Sequence, residues 1–141
     1  MKKILLITIS ISMLLFADFI KNGDIVTDTV TNLQWQDNAD AKNIKKSWLG
    51  AINYCENLTL AGHSDWRLPN INELKSIIDR SKRNPSVVNG FTNIDSSDEY
   101  WSSTTYEGNS FDAWVVNFYF GFVGSSIKGG NFSVRCVRAG Q

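Results

Sequence analysis

The most informative stretch of this sequence reads Asp65-Trp66-Arg67-Leu68-Pro69-Asn70-Ile71-Asn72-Glu73-Leu74. Asn70 is a favourable helix N-cap, and Glu73 lies three residues later, which is the spacing of a capping box. A helix is therefore predicted to follow Pro69 and to end near Arg80, because the segment 81–85 closes with a proline and cannot continue it. Its predicted apolar face consists of Ile71, Leu74, Ile77 and Ile78.

A second helix is predicted upstream of this stretch. Ser47 can serve as its N-cap, and Ala61-Gly62 is expected to end it. Apolar residues recur between these limits at spacings of three and four, which places on one face Trp48, Ala51, Ile52, Cys55 and Leu58. Cys55 is therefore expected to point into the core.

The remainder is predicted to be mostly β-structure in a single domain, because no linker or repeat interrupts it. Residues 24–36 have the pattern of a hairpin, whereas residues 37–46 and 84–99 are expected to be loops. Further strands are predicted over 100–106, 113–120, 122–128 and 132–136. Alternation places on one face of the 113–120 strand Trp114, Val116, Phe118 and Phe120. In the last strand Phe132, Val134 and Cys136 share a face, with Arg135 opposite.

The N-terminus has the layout of a secretory signal. Met1-Lys2-Lys3 precedes an apolar run from Ile4 to Phe16, and Ala17 suits cleavage. A signal peptide is therefore predicted over residues 1–17 and one domain over residues 18–141, in a protein located in the periplasm, at the cell surface or in the medium. The alternative is an uncleaved anchor helix, although the run is shorter than the ~20 residues of a membrane span. No membrane span is expected after cleavage.

The charge balance argues against nucleic acid and anionic membrane as partners. Basic and acidic residues number 14 each in the whole chain. Loss of Lys2 and Lys3 with the signal leaves a small excess of negative charge, which gives no general attraction to a polyanion.

The two cysteines, Cys55 and Cys136, are expected to form a disulfide in an exported protein. The alternative is a pair of free buried thiols. A bridge that closes about 80 residues would stabilise the fold by roughly 4–5 kcal/mol in the chain-entropy model.

Three segments together resemble a known bacterial family. They are residues 29–36, residues 48–74 with their Trp-Arg-Leu-Pro-Asn run, and the pair formed by residues 100–103 and 134–138. Over residues 24–139 the chain is similar to the C-terminal domain of the Legionella collagen-like protein (Lcl), a domain of unknown function. Members of this kind include adhesion domains that bind sulfated polysaccharides, so the resemblance implies a recognition domain for a glycan or another protein. The Lcl domain forms trimers, but the collagen-like stem is missing here, and trimerisation is not implied.

The Trp-Arg-Leu-Pro segment and the Arg-Cys-Val ending also resemble the formylglycine-generating enzymes, which have a variant of the C-type-lectin-like fold. This resemblance implies an α+β, C-type-lectin-like architecture, with two helices packed on a twisted, mostly antiparallel sheet. Lectin-like domains often link a cysteine of the first helix to one in the last strand, which implies the pairing Cys55–Cys136. A buried disulfide supplies no reactive thiolate, so neither this oxidase activity nor a cofactor is expected.

Three further features could suggest chemistry. His63 is the only histidine, whereas a hydrolytic zinc site needs several ligands, so no metal is predicted there. The acidic loop 93–99 offers oxygen ligands for calcium, but it lacks the sugar-binding motifs of calcium-dependent lectins, and an ordinary polar loop is the preferred interpretation. Arg67 is expected to bind nearby backbone carbonyls or Asp65.

Candidate ligand contacts are basic and aromatic. A basic cluster follows the helix after Pro69 and suits acidic polysaccharides, as does a second one over residues 42–46. The five tryptophans are expected in the core, which leaves tyrosines as stacking platforms. The proposed contacts are Arg80, Lys82, Arg83, Tyr106 and Tyr119.

These features predict an exported, non-catalytic recognition or adhesion domain whose partner is an extracellular polysaccharide or a surface protein. Two alternatives are a structural or assembly subunit that pairs through the edge of its sheet, and an enzyme of unrecognised type.

Overall fold

The computed structural model describes residues 16–140, so the predicted signal segment falls, except for Phe16 and Ala17, outside the described residues. The strands are β1 Phe19–Asn22, β2 Ile25–Asp28, β3 Leu33–Gln36, β4 Lys45–Lys46, β5 Glu99–Thr105, β6 Asp112–Asn117, β7 Phe122–Ile127, β8 Phe132–Ser133 and β9 Val137–Ala139. The helices are α1 Asp40–Asn43, α2 Trp48–Glu56 and α3 Ile71–Ser76. In this part of the chain, no helix is long and apolar enough to cross a membrane.

The predicted α+β class is confirmed, but the strands form two sheets rather than one. The first sheet has the order β1-β2-β3-β9 and is antiparallel. The second has the order β4-β8-β5-β6-β7 and is antiparallel except between β5 and β8. The predicted last strand over residues 132–136 is shorter than expected, because only its first two residues form β8, in the second sheet, whereas β9 follows it and pairs in the first. Residues 134–136 cross between the sheets.

Both predicted helices are present and begin where their caps indicate. The Ser47 hydroxyl accepts the Gly50 N–H at the start of α2, and Asn70 and Glu73 form the predicted capping box of α3. Each helix is shorter than expected. A tight turn with two hydrogen bonds of 3.0 Å between Leu60 and His63 follows α2, and after α3 the chain pairs with the 84–99 segment through Ile78 and Val87.

The strand β1 and the helix α1 were missed by the sequence analysis. Residues 19–22 do not alternate, and only pairing with β2 makes them a strand. Gly90 allows the 84–99 segment to approach β1 closely, because a Cβ atom there would lie 2.6 Å from the Phe19 carbonyl oxygen. The polar segment 37–46 is not simply a loop, since it contains both α1 and β4.

The core consists of two clusters on opposite faces of β5 and β6. One includes Cys55, Trp66, Trp101, Val115 and Cys136. The other includes Trp35, Leu74, Tyr100, Val116 and Phe118. The strand β6 ends at Asn117, so the predicted common face of the 113–120 strand is wrong for Phe120, whereas Val116 and Phe118 do pack in the same core cluster. The chain turns after Asn117 and leaves the Phe120 side chain at the surface, with 54 % of the residue exposed. Two of the five tryptophans expected in the core, Trp48 and Trp114, are only half-buried.

Candidate functional site

The predicted disulfide between Cys55 and Cys136 is confirmed. The Cα atoms lie 5.5 Å apart, and both residues are fully buried. Cys55 comes from α2, and Cys136 from the segment that crosses between the sheets. The bridge therefore connects the helix to the crossing point, and neither sulfur is a free thiol.

A charged pair without exposed surface lies beside the disulfide. The Arg135 Nη1 atom is 3.0 Å from the Asp37 carboxylate, and both side chains are completely buried. Arg135 also donates to the carbonyl oxygens of Gln36 and Asn93, and its guanidinium lies over the Phe91 ring at 5.0 Å. Arg135 was expected opposite the apolar face of a strand. Its guanidinium instead connects the segments around residues 37 and 93 through these contacts.

Asp37 receives more donors than Arg135 alone. The Lys21 ammonium lies 2.5 Å from its carboxylate, and the Thr92 and Asn93 backbone N–H groups donate at 2.9 and 3.0 Å. Burial by itself raises the pKa of Asp37, but the hydrogen bonds and the positive charges outweigh it and lower the pKa below its ordinary value. The carboxylate is therefore charged and fully engaged, and it belongs to the framework rather than to a reactive site.

The partner predicted for Arg67 was wrong. Arg67 makes a two-pronged contact with Glu73, with both N–O distances at 2.7 Å, and Asp65 binds Arg138 instead. Burial would raise the pKa of Glu73, but Arg67 and the Asn70 N–H lower it overall. The Trp-Arg-Leu-Pro-Asn segment thus locks the start of α3.

Carboxylates of the acidic loop 93–99 form ion pairs with Lys45. The Lys45 ammonium lies 3.0 Å from Asp95 and also contacts Asp98, which accepts a hydrogen bond from the Ser133 hydroxyl as well. These contacts fix the two carboxylates against β4 and β8. Among the described residues, no group of three or more His, Cys, Asp or Glu side chains is placed to hold a metal ion.

His63 lines an open polar cleft of about 480 Å³ together with Gln34, Asp65 and Arg138. The Arg138 guanidinium is already occupied, since it donates to Asp65 at 2.6 Å and also to Gln34. The Asp65 pKa is lowered chiefly by this hydrogen bond. The cleft therefore presents few polar groups that still need a partner.

A different set of residues forms an exposed patch at the turn between β6 and β7. We define the aromatic–arginine surface as Arg80, Arg83, Tyr119, Phe120 and Phe122. The Arg83 guanidinium lies 4.3 Å above the centre of the Phe120 ring, and the Tyr119 and Phe120 rings are 4.5 Å apart. Tyr119, Phe120 and Phe122 are 38 %, 54 % and 62 % exposed. Three neighbouring aromatic residues thus keep exposed surface beside two positive charges, with one face of the Phe120 ring covered by Arg83.

Backbone contacts build this surface from two distant parts of the sequence. The Asn84 N–H donates to the Tyr119 carbonyl at 2.9 Å, and the Ser86 N–H donates to the Phe118 carbonyl. Gly121 has a φ of +72°, and a Cβ atom there would lie 2.6 Å from the Ile78 side chain. Only glycine combines this turn with such a close approach. The chain after α3 and the β6–β7 turn therefore form one rigid support.

A cleft of about 350 Å³ borders the aromatic rings. Its polar side is lined by the hydroxyls of Ser96 and Ser97, the Glu99 carboxylate and the Asn117 amide. Tyr119, Phe120 and Phe122 line the other side. Each of these polar side chains already has one hydrogen-bond partner in the fold, so the cleft combines apolar surface mainly with acceptor oxygens that can take a second bond.

The structure brings together three of the five candidate ligand contacts. Arg80, Arg83 and Tyr119 belong to the same surface. Lys82 is turned toward its own loop, where it contacts Asn89 and lies 3.7 Å from Asp79. Tyr106 lies at the opposite end of the β5–β6 pair and packs edge-on against Trp114, with the ring centres 4.9 Å apart.

Phe120 and Phe122 were missed as contacts, and the only sequence signal for them is the glycine that separates them. Phe120 was expected within a strand but lies in the turn before Gly121, and Phe122 begins β7 as expected; both side chains are largely exposed.

A family model described as the Lcl C-terminal domain matches residues 24–138. The chain belongs to the Lcl C-terminal domain family. Among proteins of curated function, none matches this chain. In this Lcl C-terminal domain the segments that carried the resemblance are mainly structural, because Trp35, Trp66 and Trp101 are buried and Arg135 is engaged with Asp37. The lectin-like fold remains a prediction.

Proposed function

We propose that this chain is an exported, non-catalytic recognition domain that binds acidic glycans at the aromatic–arginine surface. The observation that carries the proposal is the stack of Arg83 on Phe120, with Tyr119 beside it. Exposed aromatic rings offer flat apolar faces to a sugar ring, and guanidinium groups bind sulfate or carboxylate through paired hydrogen bonds. Export is supported by the disulfide, since such bonds persist in oxidising compartments.

The adjacent cleft favours a glycan over a protein partner. A sugar presents many hydroxyl groups, which can accept from the Asn117 NH₂ group and donate to the Glu99 carboxylate and the serine oxygens. The O–H groups of Ser96 and Ser97 already donate to Asn84 and Asp95, so these two serines can only accept. Arg80 and Arg83 are both exposed, and within the described part of the chain no carboxylate forms an ion pair with either of them. Their charges are therefore available to an acidic group.

The same cleft supports binding without catalysis. Hydrolysis of a glycosidic bond by the common mechanism uses two carboxyl groups on opposite sides of the bond. Among the described residues, Glu99 is the one carboxylate that lines the cleft. The carboxylates with lowered pKa, such as Asp37 and Glu73, serve ion pairs elsewhere in the fold.

The test is retention on immobilised heparin, a sulfated polysaccharide, at low salt. The double variant Arg80→Gln/Arg83→Gln should bind at least about tenfold more weakly, which corresponds to ~1.4 kcal/mol. The matched control is Lys42→Gln/Lys46→Gln, which removes the same charge from two exposed positions of the second basic cluster; if the aromatic–arginine surface is the site, retention should stay nearly unchanged. Thermal unfolding of both variants reports whether the fold is intact.

Two results would contradict the proposal. Equal weakening by both double variants would show that heparin senses only the overall charge. Unchanged elution of Arg80→Gln/Arg83→Gln would remove this surface from the interaction. A screen of sulfated and neutral glycans with Tyr119→Ala then tests the aromatic part, because loss of stacking should weaken the binding of every glycan that binds here.

A further inference from the structure

The strand β7 forms one outer edge of the second sheet, and no strand from the described residues 16–140 pairs with its outer side. All six of its residues, Phe122-Val123-Gly124-Ser125-Ser126-Ile127, pair with β6 on the inner side without interruption. The segment contains no charged residue and no proline. An edge strand with these properties lacks the usual features that prevent pairing with another chain.

The other outer strands differ from β7. The strand β4, at the opposite edge of the same sheet, consists of Lys45 and Lys46. In the first sheet, β1 contains Lys21. The outer side of β9 is covered at Val137, which pairs with Arg67. Charge or covering backbone therefore protects these edges, whereas among residues 16–140 β7 is covered only at the Ile127 carbonyl, by the turn that follows it.

The hydrogen-bond pattern shows which backbone groups of β7 face outward. The Lys128 N–H donates to the Phe111 carbonyl at 2.9 Å, which continues the β6–β7 ladder by one residue. Since bonded residues alternate in an antiparallel ladder, Gly124 and Ser126 also point toward β6. Val123, Ser125 and Ile127 therefore direct their N–H and C=O groups away from the sheet. Of these outward groups, the Ile127 carbonyl accepts a hydrogen bond from Gly130 within its own turn, and a carbonyl can accept a second one.

We propose that β7 pairs antiparallel with β7 of a second copy of this chain, with Ser125 opposite its own counterpart. A twofold axis perpendicular to the sheet relates the two copies and joins their second sheets into one continuous sheet. Residues that lie opposite each other across the axis therefore have their side chains on the same face. The register centred on Ser125 is the one that pairs all three outward residues. It places Val123 of each copy opposite Ile127 of the other.

The side chains suit this register. Ile127 is 63 % exposed, and Val123 is partly exposed. Two aliphatic cross-strand pairs therefore form, one on each side of the central serines, and each adds a fraction of a kilocalorie to the backbone hydrogen bonds. The absence of charge along β7 means that two identical edges meet without repulsion. Because two short strands bury a small area, we expect a reversible monomer–dimer equilibrium rather than a permanent dimer.

The experiment is sedimentation of the purified protein without glycan over a range of concentrations. The wild-type protein should form dimers as the concentration rises. Ser125→Lys and Ser125→Glu should each remain monomeric, because each places two like charges opposite each other. An equimolar mixture of the two should recover dimers, since the opposed charges then attract. Asn72→Lys, at an exposed position on α3, is the control and should dimerise like the wild type.

Several outcomes would overturn the proposal. A wild-type protein that stays monomeric at about 1 mM, where a contact worth ~4 kcal/mol is half-formed, has no such pairing. Dimerisation that persists in Ser125→Lys, or a mixture that stays monomeric although both variants unfold like the wild type, places self-association elsewhere. Heparin retention is read separately with the Arg80→Gln/Arg83→Gln variant, so a failure of either proposal leaves the other standing.

Discussion

The substitution Asp37→Asn isolates the energy of the buried charge network. The side chain keeps its shape, but one carboxylate oxygen becomes an NH₂ group that cannot accept a hydrogen bond. Whichever oxygen the NH₂ group replaces, at least two donors lose their acceptor. Oδ1 accepts from Arg135 and Asn93, and Oδ2 accepts from Lys21 and Thr92. The negative charge that compensates Arg135 in the interior is lost as well.

Removal of one partner of a fully buried ion pair costs about 3–5 kcal/mol, because it leaves an uncompensated charge in the interior. For a domain of this size, that loss lowers the melting temperature by roughly 10–20 °C. The total stability of such domains is only about 5–15 kcal/mol. Asp37→Asn should therefore remove a large part of the stability without changing the volume of the core.

The measurement is urea unfolding followed by tryptophan fluorescence, with Asp24→Asn as the control. Asp24 is exposed and forms no ion pair with any described residue, so its substitution should change the free energy of unfolding by less than about 0.5 kcal/mol. A cost below about 1 kcal/mol for Asp37→Asn would refute the reasoning, since that is the range of a solvent-exposed pair.

Two further predictions concern the same framework. Reduction of the Cys55–Cys136 disulfide should lower the free energy of unfolding by roughly 2–5 kcal/mol; comparison of urea unfolding with and without reductant measures this, and free thiols that react without denaturant in untreated protein would contradict the pairing. Acid should destabilise the fold from about pH 4.5 downward, because the pKa values of Asp37 and Glu73 are lowered in the folded state from 3.8 and 4.5. Their stabilisation is complete above the unfolded pKa values and is lost as the pH falls through the folded ones. A melting temperature that stays constant between pH 6 and pH 3 would contradict this assignment, and Glu73→Gln should make the decline shallower.

Local patterns in the sequence were sufficient to predict several elements of secondary structure. The Ser47 cap and the Asn70–Glu73 box fixed where both helices begin, since a cap acts over one turn of the chain. The helix ends were less accurate. They depend on contacts between elements, such as the pairing of Ile78 with Val87. Patterns within one segment do not predict such contacts.

The candidate site was only partly predictable for the same reason. A basic cluster and a tyrosine were correctly identified as surface residues, but their convergence was not visible in the sequence. Arg83 and Phe120 are 37 positions apart, and they meet because the backbone of residues 84–86 bonds to residues 118–119. Phe120 was assigned to a buried face because alternation assumes that the strand continues past Asn117.

The sequence by itself determined the family, the α+β class, the helix starts and the one possible pairing of the cysteines. These properties depend on short motifs and on composition, which act within a few residues or leave no choice. The tertiary structure alone decided that there are two sheets, that Arg135 and Asp37 pair in the interior, and that an arginine lies on an exposed phenylalanine. Each of these depends on long-range contacts, whose energy depends on where the whole chain places both partners.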